Sequence, residues 1–372
     1  MSPAQAAELK PGRKPSGDAR IRSLDGLRGV ALVLVVMTHL TGTPGSPVPE
    51  WFTHWELGMT SVRSFFVLSA FLITEILLRQ HARPEGIQLG RFYFRRSMRV
   101  FPPYIALLAG VALADHLGWF KLRPHDFLHA ATYTMNLFDV PVPAPELRHV
   151  WTLAIEEQFY LGWPILLAAL GPKRAAYLTA AFVLGMPCLR VAAVGHALPH
   201  WIDVFLHQRG YDAVATGCLL ALLAPRLPAR LGVLTKIAIL VPIVAISSHD
   251  FHLAHARLFE AALPAMNISI ALGIWSLLSP SIAASALSFA PLVYLGTLSY
   301  SVYLWQQLFC SHTRTEWVYR FPADVALMAV CALVSYWCIE RPCMVYRERA
   351  LSWLLRWWNR NTTSSAAEPD QP

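Results

Sequence analysis

The sequence predicts an all-α polytopic membrane protein with about ten transmembrane helices, and three observations predict it. First, 55% of the 372 residues are apolar and only 15% charged. A soluble domain carries about 25% charged residues, so this chain has too little charge to cover a water-facing surface. Mean hydropathy is +0.42. Second, ten apolar stretches recur along the chain. Third, an even number of spans with the N-terminus inside puts 21 of the 31 basic residues in inner segments and eight in outer ones, the asymmetry that the positive-inside rule requires. Composition excludes a soluble globular protein, a disordered chain and a fibre. The net charge of +8 is read as topology rather than as a nucleic-acid footprint, so no nucleic-acid partner is expected.

Taken in order, residues 1–22 are polar and basic and read as a disordered cytoplasmic tail. Apolar stretches follow at 24–42, 57–78, 101–118, 150–170, 174–194, 210–225, 231–247, 257–278, 291–310 and 323–340. Each is roughly 16–22 residues, about the length that crosses a ~30 Å hydrocarbon core as a helix. Arg28 and His39 interrupt the first stretch, which a signal peptide does not need, so it reads as a retained helix. The transmembrane domain is placed at 23–346 and a cytoplasmic C-terminal tail at 347–372, with the low-complexity end 361–372 disordered. The six cysteines form no C-x-x-C pair and read as small hydrophobes, not as a disulfide or zinc framework.

Ionisable groups at membrane depth are costly and are functional candidates by default. In the first span Arg28 and His39 are eleven residues apart. At 100° per residue they share one helix stripe, about 16 Å apart along the axis. Asp25 lies at i,i+3 from Arg28 and is its natural partner. The bland alternative has Arg28 snorkelling to headgroups and His39 at the interface. The second span carries Arg63, and the fourth carries Glu156 and Glu157 in the run Trp151 to Tyr160. His39, Arg63 and these carboxylates fall at similar depth, as either a proton-transfer site or a structural ion-pair network. Adjacent glutamates point about 100° apart, so at most one would face His39.

The segment Arg91-Phe92-Tyr93-Phe94-Arg95-Arg96-Ser97-Met98-Arg99 is read as an inner loop, with Pro102 and Pro103 setting the start of the next span. Arg96 and Arg99 would share a helix face, and guanidinium forks suit phosphate. The alternatives are a topology signal with lipid affinity or a site for an anionic cofactor. His249-Asp250-Phe251-His252-Leu253-Ala254-His255 is the most metal-like cluster but has no clear ligand geometry, and no metal is assigned. Neither His125 with His129 nor the trio His196, His200 and His207 is assigned one. No P-loop, dinucleotide fingerprint, HExxH or GxSxG pattern occurs.

Six segments, in order, resemble the acyltransferase family 3 of integral membrane proteins: Ser23-Leu24-Asp25-Gly26-Leu27-Arg28-Gly29 leading to His39; Arg63-Ser64-Phe65-Phe66-Val67-Leu68-Ser69-Ala70-Phe71; Arg95-Arg96-Ser97-Met98-Arg99; Trp151 to Tyr160; Leu295 to Trp305; and Ile339-Glu340-Arg341-Pro342. The resemblance implies about ten helices and acyl transfer, often from acetyl-CoA. The acceptors it implies are hydroxyls of exported or surface carbohydrates such as O-antigens, exopolysaccharides and Nod factors. It maps the family's Arg-x10-His pair onto Arg28 and His39, with His39 catalytic, and its Arg-x-x-Arg motif onto Arg96 and Arg99, which would hold the donor. Gln306 stands where a His often follows the Tyr-Leu-Trp run, and Ala70 where Gly is common. About 30 residues follow the last span, which points to the standalone type without an SGNH-type domain.

Together these readings predict an O-acyltransferase of the bacterial inner membrane, both termini cytoplasmic. Its partners would be acyl-CoA, a carbohydrate or glycolipid acceptor and membrane lipids. Arg28, Arg96 and Arg99 would bind acetyl-CoA as donor, with no metal. His39 would serve as general base or as an acyl-imidazole relay, and Glu156 or Glu157 would orient His39 or pair with Arg63. The alternatives are a secondary transporter or flippase with a charged intramembrane site, and a macrolide-tailoring acyltransferase.

Overall fold

A computed structural model describes residues 21–137, 144–207, 210–228, 230–248, 256–312 and 314–365. Among them there is no strand, and every regular element is helical. The helices are α1 (Arg22–Leu40), α2 (Leu57–His81), α3 (Leu89–His116), α4 (Pro124–Ala131), α5 (Val150–Ala193), α6 (His200–His207), α7 (Gly210–Leu223), α8 (Val233–Ile246), α9 (Ala256–Ser276), α10 (Ile282–Leu287), α11 (Ala290–Phe309), α12 (Ala323–Ser335) and α13 (Arg341–Ser365). A π-helical turn, Tyr336–Glu340, joins the last two.

Each predicted apolar stretch lies on a helix, and the differences are at the ends. Six helical segments are long and apolar enough to cross a membrane: Arg22–Leu40, Leu57–His81, Leu89–His116, Pro145–Ala193, Arg257–Ser276 and Ala323–Leu354. The 49-residue segment covers two predicted stretches. It breaks at Gly171, whose φ of 70° is open to glycine and strained for other residues, so α5 is two helices meeting at a kink. Lipid-facing character shows on the outside of the helices, where Ile105, Leu161, Leu184 and Val330 are 57–64% exposed.

α3 begins twelve residues before the stretch at 101–118, so the arginine run is its first turns rather than a loop. Pro102 and Pro103 sit inside the helix instead of starting it. The helical start hides from hydropathy because Arg91–Arg99 is basic on a face that a membrane window cannot score. At the other end, α13 carries the chain through Ser365, so the predicted disorder of 361–365 is not found; 366–372 and the tail 1–20 lie outside the described residues. All six cysteines are free. Cys218 and Cys310 are buried, whereas Cys188 and Cys338 are exposed.

The chain divides into two compact units. The first comprises residues up to Thr38, then Trp51–Leu78 and Leu170–Thr297. Here α9 packs on α7 and α8, and Ser23 Oγ donates to the Leu277 carbonyl at 2.9 Å. Gly217 lies against the backbone of α2, where a Cβ would come within 2.2 Å of the Val67 oxygen. Arg190, which the basic-residue split counts among the outer segments, is buried instead. It pairs with Asp212 and, at 3.0 Å, with Glu260, and donates to the Leu206 carbonyl.

The second unit comprises His39–Glu50, Arg79–Ala169 and Leu298–Pro372. Its core is α3, the first half of α5, most of α11 and the α12–α13 helix. Arg95 reaches Glu348 of α13 at 2.8 Å, and Tyr104 donates to the Ala130 carbonyl of α4 at 2.7 Å. Arg314 donates to Glu146 at 2.8 Å and to the Trp119 carbonyl at 2.6 Å, tying together segments distant in sequence.

Candidate active site

α1 runs without a break from Arg22 to Leu40, so the predicted stripe exists. Arg28 and His39 are carried on one continuous helix, about 16 Å apart along its axis. Arg28 Nη1 lies 3.9 Å from Asp25, the i,i+3 partner expected from spacing. Part of the reason this segment can pack is its glycines. A Cβ on Gly26 would come within 1.7 Å of the Leu287 carbonyl oxygen, and one on Gly29 within 2.2 Å of that of Leu292. The N-terminal half of α1 therefore meets its neighbour backbone to backbone, as small residues permit in membrane helices.

His39 is half-buried at the last turn of α1. Its Nδ1 lies 3.2 Å from Oε1 of Gln306 on α11. An amide oxygen only accepts, so Nδ1 carries the proton and Nε2 is left bare. His149, Arg148 and His312 lie within electrostatic reach of the ring. His312 is held by its own bond to the Thr41 carbonyl at 2.8 Å. The partner of His39 in the structure is thus an amide, and neither Glu156 nor Glu157 is recorded in that bond.

α11 owes its placement to the polar residues of the Leu295–Trp305 run. Tyr300 donates to the Val100 carbonyl of α3 at 2.9 Å. Ser301 donates to Glu340 in the π-turn at 2.8 Å. His149 Nε2 donates to the Leu304 carbonyl at 3.1 Å, and Tyr303 and Thr152 share a 2.7 Å hydroxyl bond. These contacts account for the hydroxyls of a run that is otherwise apolar. Gln306, bonded to His39, and His149, within its electrostatic reach, are the neighbours of the predicted base that spacing alone missed. The one signal for Gln306 was its departure from the resembled motif.

Arg96 and Arg99 both lie on α3, three residues apart and hence on neighbouring faces. The Arg96 guanidinium sits 3.5 Å above the Tyr160 ring centroid, and its Nε is buried without a hydrogen-bond partner. Glu156 and Glu157, both half-buried, lie within electrostatic reach of Arg96, with Tyr300 beside them. The glutamates are therefore electrostatically coupled to the predicted donor arginine. Arg63 donates to Asn267 Oδ1 at 3.4 Å in the first unit.

Among the described residues, no three His, Cys, Asp or Glu side chains converge as metal ligands. His249–His255 lies outside those residues. His129 instead bonds Thr134 at 3.0 Å, and His125 stands 3.6 Å from Asp126.

Known proteins supply the wider context. No solved structure matches the chain. Peptidoglycan O-acetyltransferase OatA of Listeria monocytogenes is 28% identical over 357 residues, covering 87% of this chain and 55% of its own length. O-acetyltransferase OatA of Staphylococcus aureus is 26% identical, covering 86% of this chain and 56% of its own length. The chain thus spans a little over half the length of these relatives. The acyltransferase-3 family model, described as an acyltransferase domain, matches residues 21–340, which takes in α1, the arginine turns of α3, Glu156 and Glu157, and Gln306. The chain belongs to the acyltransferase-3 family.

Proposed function

We propose that this protein is a membrane-bound O-acetyltransferase that moves an acetyl group from acetyl-CoA to a hydroxyl of an exported or surface carbohydrate. Peptidoglycan, named for the Listeria relative, is the first acceptor to assay. The observation that carries the reading is the His39–Gln306 bond, which leaves a bare imidazole nitrogen at the end of the helix that also bears Arg28. In this reading His39 Nε2 takes the proton of the acceptor hydroxyl as its oxygen bonds to the thioester carbonyl carbon. The carbon–sulfur bond then breaks, and the proton passes from His39 to the departing thiolate. The products are the acetyl ester and CoA.

Arg96 and Arg99 would hold the donor's phosphates, with Arg28 as a further cation for them. Arg96 is the best prepared of the three, since its plane is already fixed on Tyr160 and one N–H awaits an acceptor. Glu156 and Glu157 would act on this arginine rather than on His39, steadying its charge until phosphate arrives. The topology that goes with this reading has about ten spans: the six long segments with the Gly171 kink counted as two helices, plus α7, α8 and α11. Both termini would then lie on the cytoplasmic side of the bacterial inner membrane, with the basic start of α3 facing CoA.

The test is mass analysis of surface glycans and exported lipids with and without the gene, repeated with His39→Ala. Loss of an acetyl group in both, at normal membrane insertion, is the expected result. An unchanged acetyl content, or full acetylation with His39→Ala, would overturn the reading. Substrate uptake into vesicles without acyl-CoA would favour a transporter.

A further inference from the structure

Gln306 is fully buried, yet only half of its amide is used. Oε1 takes the Nδ1–H of His39 at 3.2 Å, while Nε2 has no partner. A glutamine that merely stapled two helices would satisfy both ends, because an unpaired buried N–H is costly. The backbone around it is fixed by the bonds of Tyr300, Ser301 and the Leu304 carbonyl to three other segments. The amide is therefore presented to His39 by a rigid support.

We propose that Gln306 is a positioning residue for the transfer reaction: Oε1 holds His39 in the tautomer with Nε2 bare, and the free amide N–H contacts the bound substrate. This inference rests on His39 being the base. Without Gln306, the ring would populate both neutral tautomers and rotate, and only a fraction would present a bare Nε2 to the acceptor. The N–H would donate to an oxygen of the acetyl group or of the acceptor sugar.

The experiment uses the full chain in lipid nanodiscs with acetyl-CoA and a peptidoglycan fragment, comparing Gln306→Leu, Gln306→Glu and His39→Ala. Gln306→Leu should lower kcat about 100-fold, within the range for loss of an effective general base. The 15N spectrum of His39 should pass from Nδ1–H to a mixture of tautomers. Gln306→Glu keeps an acceptor at Nδ1, so the Nδ1–H signal and most of kcat should return. Lacking the amide N–H, it should raise KM about tenfold, the effect of one lost hydrogen bond. A fully active Gln306→Leu with unchanged tautomer, beside an inactive His39→Ala, overturns this inference alone. A Gln306→Glu variant that melts like wild type but recovers no kcat also overturns it. An active His39→Ala overturns the parent reading.

Discussion

Gly296→Ala is the sharpest perturbation of the α1–α11 pair. In the first unit a Cβ on Gly296 would stand 1.8 Å from the Asp25 carbonyl oxygen and 3.2 Å from the Gly29 nitrogen. Both atoms belong to backbone and cannot step aside. Ordinary contact begins at 3.4 Å, so the two helices must part by about 1.6 Å. Overpacking of this kind costs about 1–3 kcal/mol. The expected result for purified Gly296→Ala in nanodiscs is a lowered melting temperature, by about 2–4 °C for each kcal/mol lost. The control is Gly162→Ala, where a Cβ meets nothing within 4 Å. It should melt at or above wild type, since Ala is about 1 kcal/mol better than Gly inside a helix. A Gly296→Ala protein with the wild-type melting temperature would refute the close-packing argument.

Arg96→Ala should raise KM for acetyl-CoA by about 10- to 100-fold, the worth of a hydrogen bond to a charged group, and leave kcat nearly unchanged. Arg96→Lys should recover only part, because an ammonium lacks the planar stack on Tyr160; steady-state kinetics read both. Arg190→Leu leaves Asp212 and Glu260 buried without their cation, a change that costs about 3–5 kcal/mol. Thermal unfolding in nanodiscs should show a large drop, and an unchanged transition would remove the triad from the account of stability.

The fold was largely legible, because lipid imposes a simple demand. Each predicted apolar stretch lies on a helix, since a backbone in hydrocarbon must bond to itself. What hydropathy could not see were the wet ends of helices. The arginines at 91–99 start α3, and Arg347 to Arg360 ride on α13, although both segments score as polar. Side-chain placement was legible where spacing ran along one helix, as with Arg28 and its i,i+3 partner Asp25. It was illegible where partners come from distant segments. Nothing in local spacing says that Glu156 and Glu157 fall beside Arg96, that Arg190 turns inward to two carboxylates, or that His149 caps the Leu304 carbonyl.

The sequence offered Glu156 or Glu157 either to orient His39 or to pair with Arg63, and membrane physics explains why an amide suits the place beside the imidazole. A glutamate against the imidazole would bring a second ionisable group into a poorly hydrated site, where a buried charge is expensive unless fully paired. Gln306 directs the ring equally well and carries no charge, so it selects the tautomer without favouring the imidazolium. The glutamates lie within electrostatic reach of Arg96, whose positive charge favours them. In the proposed reading a neutral amide thus holds the base, while the carboxylates are matched to the arginine proposed to bind the donor.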